Sequence, residues 1–117
     1  MADRRWEFIS RLSQRTAEGK VHWQRTADEF TYEASFPNHG VRVLPRPART
    51  GTHYVVQILN GEGLVVEDIS DLDLAGITSL EGPEACHYMR DIYNAARRQA
   101  IGADEAIDDI ITALGHK

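Results

Sequence analysis

Residues 30–36 alternate without a break: Phe30, Tyr32, Ala34 and Phe36 on one parity, Thr31, Glu33 and Ser35 on the other. Only an extended strand, whose successive side chains leave opposite faces, brings those four apolar residues together. A strand with one apolar face needs paired neighbours and a cover, so this segment commits the chain to a sheet packed against another layer. The neighbours follow in sequence. Pro37-Asn38-His39-Gly40 has turn composition, and residues 41–44 form a short strand that Pro45 and Pro47 stop. Residues 45–52, with two prolines and two arginines, read as a mobile loop. Asn60-Gly61 between apolar runs predicts a hairpin of strands 53–59 and 64–69, because both turn residues tolerate positive φ. In the first of these strands Tyr54, Val56 and Ile58 oppose Val55 and Leu59, the pattern of a strand covered on both faces. Val21 and Trp23, alternating with His22 and Gln24, begin a sheet that occupies residues 21–69.

On either side the period becomes helical. Trp6, Ile9 and Ser13, with Phe8 and Leu12 beside them, give residues 3–18 a narrow apolar stripe, capped by Asp3 and ended by Gly19. Residues 70–82, with Gly76 and Gly82, read as a linker. Pro83 and Glu84 suit the first turn of a helix over 83–101, with Ala85, Met89, Ile92, Tyr93, Ala96 and Ala100 on one face. Gly102 interrupts it, and Ala106, Ile107, Ile110, Ile111 and Leu114 make the stripe of a last helix over 103–114. The fold class is therefore α+β: an N-terminal helix, a four- to five-stranded antiparallel meander and two C-terminal helices. A length of 117 residues with 42% apolar composition suits one domain over 1–117 with a single core. Trp23, Phe30, Tyr32, Phe36, Val56, Ile58, Met89, Ile92 and Ile110 are expected in that core.

The net charge of −5 argues against nucleic acid, which needs a basic footprint. The charge is uneven. Residues 1–50 hold nine Lys/Arg and six Asp/Glu; residues 51–117 hold four and twelve. Arg4, Arg11 and Arg15 share one face of the first helix, and such polarity can steer a partner. No apolar run reaches the length of a membrane span, and the first residues lack the apolar core of a signal peptide. With Cys86 as the only cysteine, these features lead us to expect a cytoplasmic protein.

The chemistry-bearing residues gather into few patterns. Cys86-His87 is a nucleophile–base pair by composition, but adjacent helical residues diverge by about 100° and do not face each other. His22, His39, His53, His87 and His116 contain no pair at the i, i+4 spacing of a helical zinc site. His22 and His53 lie on strands that could meet across the sheet. Asp71-Leu72-Asp73-Leu74-Ala75-Gly76 opens like an EF-hand loop, but Ala75 stands at position 5 and Gly82 at position 12, so no EF-hand is expected. Glu67, Asp68, Asp71 and Asp73 leave a loose cation site as the alternative. Gly61-Glu62-Gly63 carries an acid where a phosphate loop needs none, and no serine sits in a nucleophile elbow. Trp23, Arg25, Phe30 and Tyr32 mix aromatic and basic residues, but the shared face of Phe30, Tyr32 and Phe36 reads as core. Arg90, Tyr93, Asn94, Arg97 and Arg98 lie within three turns of one helix and form the candidate binding site for an anion or partner. No catalytic residue, metal or cofactor is expected.

The pattern Trp23…Thr26…Tyr32-x-Ala34-x-Phe36, Tyr54-x-Val56-x-Ile58-x-Asn60-Gly61, Tyr93-x-x-Ala96-Arg97-x-x-Ala100…Asp104-x-Ala106-x-Asp108 resembles a family of small bacterial proteins with no assigned activity. The resemblance covers residues 21–114 and implies a bacterial origin. Together these readings lead to the expectation of a non-enzymatic protein-binding or accessory module. A small-ligand or nucleotide-binding regulatory domain and a small enzyme are the alternatives. A protein partner or a second copy is expected, with no nucleic acid and no membrane. A homodimer is favoured, either through an apolar sheet face carrying Val55 and Leu59 or through Ile107, Ile111 and Leu114.

Overall fold

The Asp3 carboxylate accepts the Arg5 backbone N–H at 2.8 Å and so satisfies one of the free donors at a helix start. In the computed structural model, which describes residues 3–49 and 51–115, helix α1 runs over Arg4–Ala17. It ends where Gly19 takes a left-handed φ of 73°. Strands β1 (Gln24–Arg25), β2 (Tyr32–Phe36), β3 (His39–Ala48), β4 (Gly51–Leu59) and β5 (Val65–Ser70) follow. Helices α2 (Asp71–Ile77), α3 (Gly82–Ile101) and α4 (Ala103–Leu114) complete the chain. The strands form one antiparallel sheet in the order β1-β2-β3-β4-β5, each paired with its sequence neighbour. The architecture is α+β, with an N-terminal helix, a five-stranded meander and the two C-terminal helices α3 and α4.

Several local expectations are overturned. Pro45 and Pro47 do not stop β3, which continues to Ala48, so the expected mobile loop over 45–52 is mostly a paired ribbon. The β2 register ends at Tyr32 opposite Val43, so beyond that point β3 has a partner only on its β4 side. Residues 45 and 47 share a parity, and a missing N–H costs little where it points away from the paired strand. The expected linker 70–82 contains α2. Ser70 caps it by accepting the Asp73 N–H at 3.1 Å while the Asp73 carboxylate accepts the Ser70 N–H at 2.9 Å, a reciprocal capping box. The strand expected over 21–24 shrinks to Gln24–Arg25, while Val21 and Trp23 are buried from the segment before it. The β4–β5 hairpin exists, but positive φ falls at Gly63, not at Asn60 or Gly61. Asn60 instead shapes the loop through its side chain, whose Oδ1 accepts the N–H groups of Glu62 and Leu64.

One parity of the sheet makes the core. Tyr32 and Ala34 of β2, Val41 and Val43 of β3, Val56 of β4 and Ile69 of β5 are buried against Ile9 and Leu12 of α1, Leu74 of α2, and Met89, Ile92 and Ala96 of α3. Trp23 joins α1 to α3: its ring Nε1 donates to Thr16 Oγ1 at 3.2 Å and its backbone N–H donates to Gln99 Oε1 at 2.7 Å. Of the expected core, Trp23, Tyr32, Val56, Met89 and Ile92 are buried and Ile58 is half-buried. Phe30, Phe36 and Ile110 are exposed, at 58%, 42% and 59%. Phe30 precedes β2 and so lies outside the sheet, Phe36 closes β2 at a turn, and Ile110 belongs to a helix with no buried residue.

Candidate functional site

Helix α3 separates the five residues singled out on it. Tyr93 belongs to the core. Its ring lies 5.6 Å from that of Tyr32 and 5.5 Å from that of Tyr54, and its hydroxyl donates to the Phe30 carbonyl at 2.8 Å. Burial pushes its hydroxyl pKa up to about 12, with the neighbouring Tyr32 adding to the rise. Arg90 sits with its Nη2 3.1 Å from His87 Nδ1, and Arg98 pairs with Asp104 at the start of α4. Asn94 and Arg97 are exposed on the rim. The helix therefore carries a tyrosine anchor and a row of surface side chains, two of them engaged with neighbours.

At the end of the sheet where β5 passes into α2, Asp71 is 3% exposed and its two carboxylate oxygens lie 3.1 and 3.0 Å from His53 Nδ1. Cys86 approaches the same corner, with Sγ 3.9 Å from the Thr52 carbonyl. Burial pushes the Cys86 thiol up, and the charge of Asp71 acts in the same direction against a smaller opposing effect of Arg90. A nucleophilic cysteine needs the reverse environment. Cys86 and His87 diverge, the first toward Thr52 and the second toward Arg90. His53 pairs with Asp71, while His22 is exposed before β1. His116 lies outside the described residues.

The four acids of the loose cation site are dispersed among other partners, Glu67 accepting the Asp68 backbone N–H at 3.2 Å. Asp71 faces His53 and Asp73 caps α2. Asp68 accepts from Arg46 at 2.9 Å and from Gln57 at 3.0 Å. Among the described residues no group of three or more His, Cys, Asp or Glu side chains is placed to hold a metal ion. Arg46 holds the Asp68 carboxyl below the usual carboxylate range, and Gln57 adds to the effect.

That contact belongs to a polar ladder on the sheet face opposite the core. Arg42 donates to Glu33 at 2.7 Å across β2–β3. Val55 and Leu59 share that face by parity and are nonetheless buried, so they form no exposed patch; beside them Val65, the register partner of Leu59, and Val66 are exposed on β5. Val55 stands between Leu44 and Ser70 in register.

A continuous exposed apolar stripe lies on α4. Gly102, with φ 72°, turns the chain after α3, and α4 leaves the body from there. None of its twelve residues is buried. Ile107, Ile110 and Ile111 are about half exposed or more, and Leu114 reaches 77%. The Cα radius of gyration is 15.7 Å, against about 13 Å for a closely packed chain of this length, and the longest axis is 55 Å. Asp104, Glu105, Asp108 and Asp109 give α4 four acids and no cation. The helical spacing of the stripe was legible in the sequence; that none of the described residues buries it was not.

No protein-family model matches the chain, and no match was found among the curated proteins or the solved structures.

Proposed function

We propose that the chain is a non-enzymatic protein-binding module, with α4 as its docking helix. The observation that carries this reading is an amphipathic helix whose whole apolar stripe, Ile107, Ile110, Ile111 and Leu114, faces outward. Helices of about 12 residues are marginal in water and owe their stability to packing of the apolar face. An uncovered stripe of this kind marks an interaction surface. The other chemistry-bearing groups support a binding role over catalysis: burial pushes the Cys86 thiol pKa up, and Asp71 is occupied by His53. A bacterial cytoplasmic setting rests on the family resemblance and on a single thiol without an internal partner.

Hydrogen exchange tests the docking helix. In dilute purified protein the α4 amides are expected to exchange far faster than those of the β3–β4 ribbon, because local opening of α4 disturbs no buried contact. They should slow when a partner covers the stripe. Exchange in α4 as slow as in β3–β4, at dilution and without any partner, would end the docking reading.

A further inference from the structure

The loop between β4 and β5 fixes Asn60 at both backbone and side chain. Its N–H donates to the Leu64 carbonyl at 2.9 Å, and its carbonyl accepts the Gly63 N–H at 3.0 Å. Its side-chain Oδ1 accepts two further backbone N–H groups, from Glu62 at 2.9 Å and from Leu64 at 3.0 Å. The next amide along the chain, that of Gly61, donates to none of the described residues, and Gly61 through Leu64 are exposed to water. Two backbone donors converging on one carbonyl oxygen are the arrangement that stabilises an oxyanion. Here the oxygen belongs to a primary amide whose Cγ can be reached by the Gly61 nitrogen through closure of a five-membered ring, and glycine has no Cβ to obstruct that approach. The other two asparagines of the chain differ. Asn38 is followed by His39, which is paired with Phe36, and Asn94 lies inside α3, where the following amide belongs to the helix.

We propose that Asn60-Gly61 is a self-modification site, at which the folded hairpin promotes closure of the Asn60 side chain onto the Gly61 nitrogen and conversion of Asn60 to an aspartyl or isoaspartyl residue. Hydroxide takes the Gly61 amide proton, and the nitrogen attacks Cγ. The N–Cγ bond forms, and the negative charge that gathers on Oδ1 is held by the Glu62 and Leu64 N–H groups. The Cγ–Nδ2 bond then breaks, ammonia leaves with a proton from water, and hydroxide is regenerated. Water opens the resulting cyclic imide at one of its two carbonyls. Opening at the main-chain carbonyl gives isoaspartate, and opening at Cγ gives aspartate. The aspartyl product adds one negative charge and keeps an oxygen able to accept both N–H groups. The isoaspartyl product routes the main chain through the side chain and lengthens it by one carbon, which breaks the pairing of Asn60 with Leu64. The hairpin end that carries the exposed Leu64, Val65 and Val66 then loosens.

The full chain, freshly purified and then held in mildly alkaline buffer at body temperature, is followed by mass spectrometry of its proteolytic peptides. The peptide containing Asn60 should first lose the mass of ammonia and then show a net gain of one mass unit, with aspartyl and isoaspartyl forms separating on chromatography. A synthetic peptide of residues 57–66, which has the sequence without the fold, should convert about tenfold more slowly, because its Oδ1 has no fixed donors. Gly61→Ala should slow the reaction in the folded chain roughly tenfold or more by obstructing the nitrogen. The added methyl meets only the Asn38 carbonyl, at an ordinary 3.5 Å, so the circular dichroism spectrum and melting temperature should stay unchanged. Conversion in the folded chain no faster than in the peptide would overturn the promoting role of the hairpin. Conversion of Gly61→Ala at the natural rate would overturn attack by the Gly61 nitrogen. An Asn60 that stays intact while Asn38 or Asn94 converts would overturn the site itself.

Discussion

Tyr93 fastens the strand block to α3, and its hydroxyl hydrogen bond to the Phe30 carbonyl spans 63 residues of chain. The same burial makes it the residue through which alkali attacks the fold. An ordinary tyrosine loses its proton near pH 10, whereas Tyr93 in the folded chain holds it up to about 12. Between those values the unfolded chain binds fewer protons than the folded one, so stability falls as pH rises through the window, and the contribution is complete below it. Urea titrations across pH 9–12 should show this loss for the natural chain. Tyr93→Phe should flatten the dependence while costing about 1 kcal/mol near neutral pH for the lost hydrogen bond. Parallel pH profiles for the two proteins would refute the assignment. At this scale the sequence was most informative where parity and burial coincide, as at Tyr32 and Val56. It misled at Phe30 and Phe36, because alternation reports which way a side chain points and not whether the sheet extends far enough to cover it.

Among the elements, α1, α3 and the β4–β5 hairpin were legible because each carries its own period and its own stop. Helix α2 was hidden by Gly76 and by its seven-residue length, although Ser70 and Asp73 already had the spacing of a capping box. The long β3 was hidden by Pro45 and Pro47, whose stop signal depends on which side of a strand is paired, and that is a property of the sheet rather than of the strand. The candidate site on α3 was visible as a helical constellation, but Tyr93 faces the core while Asn94 and Arg97 face solvent, a division set by packing. Helix α4 invites a test at its own scale. Since it contains no buried residue, a chain ended at Gly102 should keep the melting temperature of the full chain to within a few degrees when both are measured at dilution. A loss of about 10 °C or more would mean that α4 supports the body directly, since even about 1 kcal/mol moves a domain of this size by only about 4–8 °C.

Across the whole molecule, helices α1, α2 and α3 share one sheet face while Glu33–Arg42 and Arg46–Asp68 dress the other. The chain order of the strands is also their spatial order, so each pairing closes a short stretch of polypeptide. The bond from Trp23 to Gln99 is different: it joins residues 76 apart and brings the first helix onto α3 after the sheet has intervened. In time, that asymmetry separates early events from late ones. The hairpins can form from local encounters, whereas the Trp23–Gln99 closure must gather both ends of the chain and carries the larger loop entropy. We predict that α1 condenses after the folding transition state. Truncations in its buried face, such as Leu12→Ala, would then speed unfolding with little change in the folding rate, while Val56→Ala in β4 slows folding; stopped-flow measurements giving Leu12 the higher φ-value would reverse the order. The first helix is then the last piece in and the first piece out, so a nascent chain would hold Ile9 and Leu12 uncovered until α3 has left the ribosome.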